Sequence, residues 1–493
     1  MIRPLAPFTA KLEYAAQLVG ASIHGADISF TGATHVDSDV EPGDLFIAIP
    51  GARVHGATFI ETAIKRGAVA VLTDEAGLAH CQGIPAIVVK DVRAAGALIA
   101  ASLYKYPTKD MTSIGITGTN GKTTVSTLLY QIFQAVGRDT GLIGTVETRI
   151  GVEVIKSSRT TPEGPELQAL AAVMRERHMR HLVMEVSSHA LSLKRVKGSH
   201  FAIAAFTNLS QDHLDFHQDM DSYFAAKAEL FTNEYAEQAF INVDSDYGLR
   251  LAKQASIPVT SISRTNPTAT WHFVETHNVS RGIEFSARGA GGILLESRTR
   301  LFGGYNLDNL LLALAIAVEC GIDPMELAAI TPSLTGAPGR LESVSLGQHF
   351  TALVDYAHSP DAVANVLAAT REFTSGKIIA VLGCGGDRDA TKRPLMGQAL
   401  VHGSDIAIFT SDNPRSESPS EILTQMTQSL SITAPSEIIE DRAEAIRAAV
   451  SLAQDGDTVI ILGKGHETGQ EIAGVVTPFD DRIALAQAIE AKP

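Results

Sequence analysis

The sequence predicts an α/β protein of three domains, and three observations predict it. The 493 residues suffice for about three domains at ~150 residues each. Short apolar runs recur along the chain and each ends in a polar loop, as parallel strands do when ligands bind off their carboxyl ends. One of these runs, Ser113–Thr117, passes directly into Gly118-Thr119-Asn120-Gly121-Lys122-Thr123-Thr124, which has the composition of a phosphate-binding P-loop. The expected domains are a smaller N-terminal α/β domain over 1–108, a central P-loop parallel-sheet domain over 109–338, and a Rossmann-like C-terminal domain over 339–493.

In chain order, Leu45–Ile49, Ala68–Leu72 and Ala86–Val89 are the strand candidates of the first domain, and Tyr104–Asp110 reads as a linker. The P-loop strand follows, with a helix expected through Leu128–Phe133. Backbone N–H groups and the helix N-terminus would face an anion, Lys122 would reach the outer phosphates, and Thr123 or Thr124 could ligate magnesium. The usual spacing needs glycine at 116, and here that residue is Ile116, so the loop is an unusual subtype. Three further strands, His181–Glu185, Ile203–Phe206 and Phe240–Val243, run into Val186–His189, Thr207–Asp215 and Asp244–Asp246. Leu310–Val318 reads as a buried helix, and the Gly/Pro cluster Thr335–Gly339 as the second boundary. Beyond it, Lys377–Leu382, Asp405–Phe409 and Thr458–Leu462 run into Gly383–Asp389, Thr410–Arg415 and Gly463–Glu467, as in a second doubly wound domain with its own site.

Composition narrows the class. A net charge of −15 argues against electrostatic binding to nucleic acid or anionic membranes. Three scattered cysteines, Cys81, Cys320 and Cys384, suggest a reducing compartment and no zinc site. The N-terminus does not read as a signal peptide, and no apolar run reaches the ~18 residues of a membrane span. A cytoplasmic enzyme is expected.

The chemistry-bearing residues group at the predicted strand ends. Glu185, Asp212, His213 and Asp215 offer oxygen and imidazole groups that could hold a magnesium ion, or could simply hydrogen-bond within their loops. Lys227, on the amphipathic stretch Tyr223–Phe231, reads by itself as an exposed, solvated lysine. Asp387, Arg388, Asp412, Asn413 and Arg415 suit a zwitterionic, amino-acid-like ligand or, equally, an inter-loop salt bridge.

Taken together, Thr117–Thr124, Glu185–His189, Thr207–Asp215, Tyr305–Asn309 and Asp355–Pro360 resemble, in order and over essentially the whole chain, the Mur ligase family. The resemblance implies a central ATPase domain and ATP-dependent amide ligation in peptidoglycan precursor synthesis. It implies that meso-diaminopimelate is added to UDP-N-acetylmuramoyl-L-alanyl-D-glutamate through an acyl phosphate. Use of L-lysine, a folylpolyglutamate-type ligase and a non-catalytic nucleotide-binding scaffold are the alternatives. A monomer is expected.

The resemblance also assigns residues. Gly118, Thr119, Asn120, Gly121, Lys122, Thr123, Thr124, Asn306, Asn309, Arg340 and Asp355 would bind ATP. Thr123, Glu185, His213 and Lys227 would hold Mg2+, as two ions, with Lys227 carbamylated; Lys122, Lys227 and His213 would be catalytic. Ser38, Thr160, Thr161, Ser187 and Arg195 would bind the UDP-sugar peptide. Arg388, Asp412, Asn413, Pro414, Arg415, Gly463 and Glu467 would bind diaminopimelate. Members that add diaminopimelate carry Asp-Asn-Pro-Arg as written here at Asp412–Arg415, and a guanidinium there finds a carboxylate partner only when the far end of the amino acid carries one. Asp39, Arg159 and Leu193 depart from the family pattern around the nucleotide-sugar contacts.

Overall fold

A computed structural model describes residues 1–492 apart from Ala52, Ser158, Asp215, Ser280 and Arg281. The chain divides into two compact units. The first comprises Met1–Phe273, Arg288–Ile293 and Asp308–Leu327; the second comprises Val274–Ala287, Leu294–Leu307 and Ala328–Pro493.

In the first unit, five N-terminal strands form a sheet in the order Ile23–His24, Ala86–Val88, Ala70–Thr73, Asp44–Ile47, Gly32–Thr34. All neighbours but the first pair are parallel. This layer and the P-loop layer share one core, in which Leu12, Leu45 and Ile99 of the N-terminal part cluster with Ala169 and Ala172 of the helix Gly164–Glu176. A methyl group on Gly164 would lie 2.3 Å from Ala97 Cβ, so a bare glycine lets the two helices approach. The stretch expected as a linker is instead a packed turn. Tyr104 is buried with its ring edge-on to Phe8, and Thr108 O accepts from Ser113 Oγ at 2.7 Å.

The P-loop strand Thr112–Thr117 lies inside a parallel array. His181–Glu185 and then Thr140–Ile143 follow on one side; Phe201–Phe206, Ala236–Asn242 and Val259–Ser263 follow on the other. The strands are nearly continuous Ile, Val, Leu and Ala, because helices cover both faces. Their carboxyl ends bring the loops after Thr117, Glu185 and Phe206 side by side. The fourth expected loop does something else: Asp244 accepts bonds from Ser263 Oγ, the Arg264 N–H and Thr265 Oγ1, tying down the next strand's end.

The second unit contains a six-stranded sheet in the order Glu342–Ser343, Thr351–Asp355, Thr458–Leu462, Ile378–Leu382, Ile406–Phe409, Glu437–Ile438. Only its first pair is antiparallel. The inner strand latest in sequence, Thr458–Leu462, lies between Thr351–Asp355 and Ile378–Leu382. The three loops anticipated for this domain therefore leave one edge of the sheet together.

Candidate active site

The P-loop is folded around its own cations. Gly118 and Gly121 adopt φ of 151° and 87°, and Gly121 caps the helix Lys122–Ala135. A side chain at Gly118 would strike Thr207 Oγ1, and one at Gly121 would lie 2.3 Å from Asn309 Oδ1. Asn309 therefore packs on the loop. Lys122 Nζ donates to Gly118 O at 2.9 Å and Thr119 O at 2.8 Å. Asn120 N donates to Asn208 Oδ1, and Thr119 Oγ1 meets Tyr223 OH at 3.1 Å. Of the two candidate hydroxyls, Thr124 is buried in the helix, whereas Thr123 Oγ1 donates to Glu185 Oε2 at 3.1 Å.

Glu185 is completely buried and receives only neutral donors: Thr123, Thr145 Oγ1 at 2.8 Å and the Thr145 N–H at 2.8 Å. Among the described residues no cation pairs with it. Lys227 corrects the reading of a solvated lysine: it is 1% exposed. Its Nζ donates to Gly118 O at 2.8 Å and sits 4.5 Å from the centre of the Tyr223 ring. Burial, and then the Lys122 charge, push its pKa well below the ordinary lysine value, while Asp212 opposes that shift. His213, at a φ of 53°, is half-exposed beside Asp212 and edge-on to His189 and Tyr223. The fourth loop group singled out, Asp215, lies outside the described residues. No cluster of three His, Cys, Asp or Glu among the described residues forms a metal site by itself. Glu185 and Thr123 are nonetheless hard oxygen donors in contact, and a carboxylate buried without a cation fits a magnesium ion. Lys227 would fit that set only as a carbamate.

The residues assigned to the sugar peptide largely gather here too. Thr161 Oγ1 donates to Glu185 O at 2.8 Å and accepts from Ser187 N at 3.1 Å. Thr160 Oγ1 meets Thr145 Oγ1 at 3.0 Å, Ser187 caps the short helix Ser188–Ser192, and Arg195 Nη1 donates to Thr161 O. Arg195 and Arg93 share the buried Glu163 at 3.0 and 3.3 Å. Ser38 lies apart in the turn Asp37–Asp39, where its carbonyl accepts from Arg66.

In the second unit, Asn306 Nδ2 donates to Phe302 O. Asp355 accepts the N–H groups of Leu341 and Ala357 at 2.8 Å each, and Arg340 lies over the Tyr356 ring. Burial pushes the Asp355 pKa up, and the Arg340 charge opposes it.

The three C-terminal loops interlock. A methyl group on Gly385 would lie 3.1 Å from Arg415 Nη1 and 3.9 Å from Arg388 Cγ, so both arginines flank that glycine. Arg415 holds a φ of 54°, strained for a side-chain-bearing residue. Its N–H donates to Glu471 O, its carbonyl accepts from Ala473 N, and its Nη1 donates to Gly386 O at 2.6 Å. Pro414 O lies within 1.8 Å of where a Gly386 side chain would stand, and Gly463 approaches Asp412 in the same way. Asp412 is buried, which pushes its pKa up. Asn413 Nδ2 donates to Glu467 Oε2 at 2.8 Å. The expected salt bridge across these loops has different partners: Asp387 bonds Ser416, while Arg393 takes Glu417 bidentately at 2.8 Å and holds its pKa down to about 2.

Sequence reasoning missed Thr145, Tyr223, Lys464 and the fully buried pair Arg442–Asp481. Lys464 left a signal: it lies between two glycines at a predicted strand end, inside a stretch already singled out.

A P-loop on a parallel sheet with a buried carboxylate beside it, and a second doubly wound sheet whose loops carry Arg388 and Arg415, fit an ATP-dependent ligase. Family models agree: "Mur ligase family, catalytic domain" matches residues 35–104, "Mur ligase middle domain" 116–317, and "Mur ligase, glutamate ligase domain" 339–465. A UDP-N-acetylmuramoyl-L-alanyl-D-glutamate–2,6-diaminopimelate ligase of Streptomyces coelicolor is 49% identical, over 99% of this chain and 98% of its own. A UDP-N-acetylmuramyl-tripeptide synthetase of Leifsonia xyli is 41% identical over 99% and 98%. A solved structure of a UDP-N-acetylmuramoyl-L-alanyl-D-glutamate–2,6-diaminopimelate ligase matches with a TM-score of 0.70 and 34% identity, over 94% of this chain and 95% of that one. The chain belongs to the Mur ligase family, with its three-domain α/β fold. No helix among the described residues is long and apolar enough to cross a membrane.

Proposed function

We propose that this ligase joins meso-diaminopimelate to the D-glutamyl γ-carboxylate of UDP-N-acetylmuramoyl-L-alanyl-D-glutamate, in the cytoplasm. Residues 1–108 would serve the UDP-sugar, 109–338 ATP, and 339–493 the amino acid. The carboxylate takes the γ-phosphoryl group of ATP, giving an acyl phosphate and ADP. The amine then attacks the acyl carbon, phosphate leaves, and the nitrogen loses a proton as the amide forms. Lys122 and the P-loop N–H groups hold the transferring phosphoryl group. Asn306, Asn309, Arg340 and Asp355 hold the rest of the nucleotide. Thr160, Thr161, Ser187, Arg195 and Ser38 orient the sugar peptide. Thr123, Glu185, His213 and a carbamylated Lys227 would hold Mg2+, whose charge would offset that of the phosphoryl oxygens.

The carbamate has a physical basis. Burial pushes the Lys227 pKa well below the ordinary lysine value, which favours the neutral amine that attacks CO2; addition releases one proton and converts the amine into an anion.

The observation that carries the substrate assignment is the pinned, strained Arg415 beside Arg388. A guanidinium so fixed recognises the distal carboxylate of diaminopimelate, and when lysine binds the only carboxylate contact left to it among the described residues is the longer one of its Nε with Glu471 Oε2 at 3.7 Å. The test supplies ATP, Mg2+ and the UDP-muramoyl dipeptide with either amino acid. Amide should form with diaminopimelate at least about 100-fold more efficiently than with L-lysine, and Arg415→Ala should remove most of that preference. Equal use of both amino acids would overturn the assignment.

A further inference from the structure

Lys464 is 0% exposed in the second unit, and all three of its ammonium protons are used. They go to Asn413 Oδ1 at 3.0 Å, Glu467 Oε2 at 3.2 Å and Gly469 O at 2.7 Å. Asn413 Oδ1 also accepts the Glu471 N–H at 3.0 Å. Two donors on that oxygen fix which way the carboxamide faces, so Nδ2 must point at Glu467 Oε2, where it donates at 2.8 Å. Glu467 Oε2 is thereby saturated by two donors, while Oε1 receives none from the described residues. The carboxylate is held by one oxygen and presents the other. The neighbouring buried cation differs. Arg442 is paired with Asp481 and otherwise reaches only the backbone carbonyls of Ser411 and Leu462. Its described hydrogen bonds brace the loops and reach no side chain of the proposed amino-acid site, although its charge acts on Asp412 and Glu467.

We infer that Lys464 is a positioning residue that sets the Glu467 carboxylate, directly and through Asn413, to receive the ammonium of the incoming amino acid. The inference rests on the assignment of Glu467 to diaminopimelate, whose ammonium is the group a free carboxylate oxygen would accept from. Without Lys464, Asn413 Oδ1 keeps only the Glu471 N–H, and the carboxylate loses a charge-assisted donor and one of the two bonds that fix its orientation.

A double-mutant cycle tests it in the full chain, reading KM for diaminopimelate and for ATP separately. Lys464→Met should raise the diaminopimelate KM about tenfold or more, the equivalent of one lost hydrogen bond to a charged group, and leave the ATP KM within about twofold. Glu467→Gln should do the same, and Lys464→Met with Glu467→Gln should be no worse than Glu467→Gln alone, because one acts through the other. If Lys464→Met does not fold, Lys464→Gln, which keeps a donor in place, should show the same split to a smaller extent. Effects that multiply independently, or ATP and diaminopimelate KM values rising together, would overturn the role of Lys464. A Glu467→Gln variant with unchanged diaminopimelate KM would instead overturn the reading of Glu467 itself.

Discussion

Each unit buries one lysine almost completely, and the two are used in opposite ways. Lys227 gives one described hydrogen bond, to a carbonyl that Lys122 also reaches, and among the described residues no carboxylate bonds to it, Asp212 acting only through its charge. Lys464 spends its protons on a carboxylate, a carboxamide and a carbonyl. A buried cation without an anion is costly and sheds its proton, whereas one with hydrogen-bonded partners becomes a fixture of the site. The first is therefore poised for chemistry on the lysine itself, and the second for holding its neighbours still.

The largest expected effect breaks this comparison at Lys227. Lys227→Ala should lower the ligation rate by about 100-fold or more, the scale of losing one electrostatic contact to a phosphoryl transition state. Small carboxylates such as acetate or formate should restore part of it, since they can supply the carbamate's oxygens. Intact mass spectrometry of the native protein, kept in bicarbonate, should show CO2 added at Lys227. An unmodified lysine together with no rescue would sink the carbamate.

A smaller effect sharpens the same contrast without any substrate. The Met substitution at each lysine should shift stability in opposite directions. Lys227→Met replaces an unpaired buried amine by an apolar side chain of similar shape, and Gly118 O keeps Lys122 as a donor; unfolding by denaturant should become harder by about 1 kcal/mol or more. Lys464→Met takes one donor each from Asn413 Oδ1, Glu467 Oε2 and Gly469 O, and should cost about 1–3 kcal/mol. Shifts of the same sign would show that the two lysines are not distinguished by their partners.

This contrast also marks what the sequence could reveal. The strands at Ser113–Thr117, His181–Glu185 and Thr458–Leu462 were legible because parallel strands buried on both faces are written as apolar runs, and polar loops must follow them. The P-loop was legible because its glycines and Lys122 do their work locally. Lys227 was not: a lysine on an amphipathic stretch gives no sign of burial, which here comes from packing against Tyr223 and the P-loop, far away in sequence. The Arg442–Asp481 pair escaped for the same reason, and Lys464 in part, since Asn413 reaches it from a separate loop although Glu467 and Gly469 lie on its own. The linker at Tyr104–Asp110 was misread because proline and polar residues mark turns equally well whether those turns are free or packed.

The smallest effect concerns a carboxylate in the first unit that, like Lys227, is buried at a cost. Burial raises the Asp308 pKa to about 6, with Arg264 opposing the shift from 3.0 Å and Asp244 adding to it. An aspartate in the unfolded chain titrates near ~3.9. Between about pH 4 and 6 the folded protein therefore binds more protons at this site than the unfolded chain. By linkage this contribution to stability falls as pH rises through the window and stays low above it. His181 tilts the other way: burial lowers its pKa to about 4, so from about pH 4 to 6.5 the unfolded chain is the one that binds the extra proton, and stability rises with pH. The slope of the native protein alone is thus a mixture, and the informative quantity is the difference made by Asp308→Asn. That variant, compared with the native protein by urea unfolding at several pH values, should gain relative stability as pH rises from 4 to 6. The gain should be about 1 kcal/mol once solvent access and the Arg264 contact are allowed for. Parallel profiles across that window would mean that Asp308 ionises as freely in the fold as in the unfolded chain.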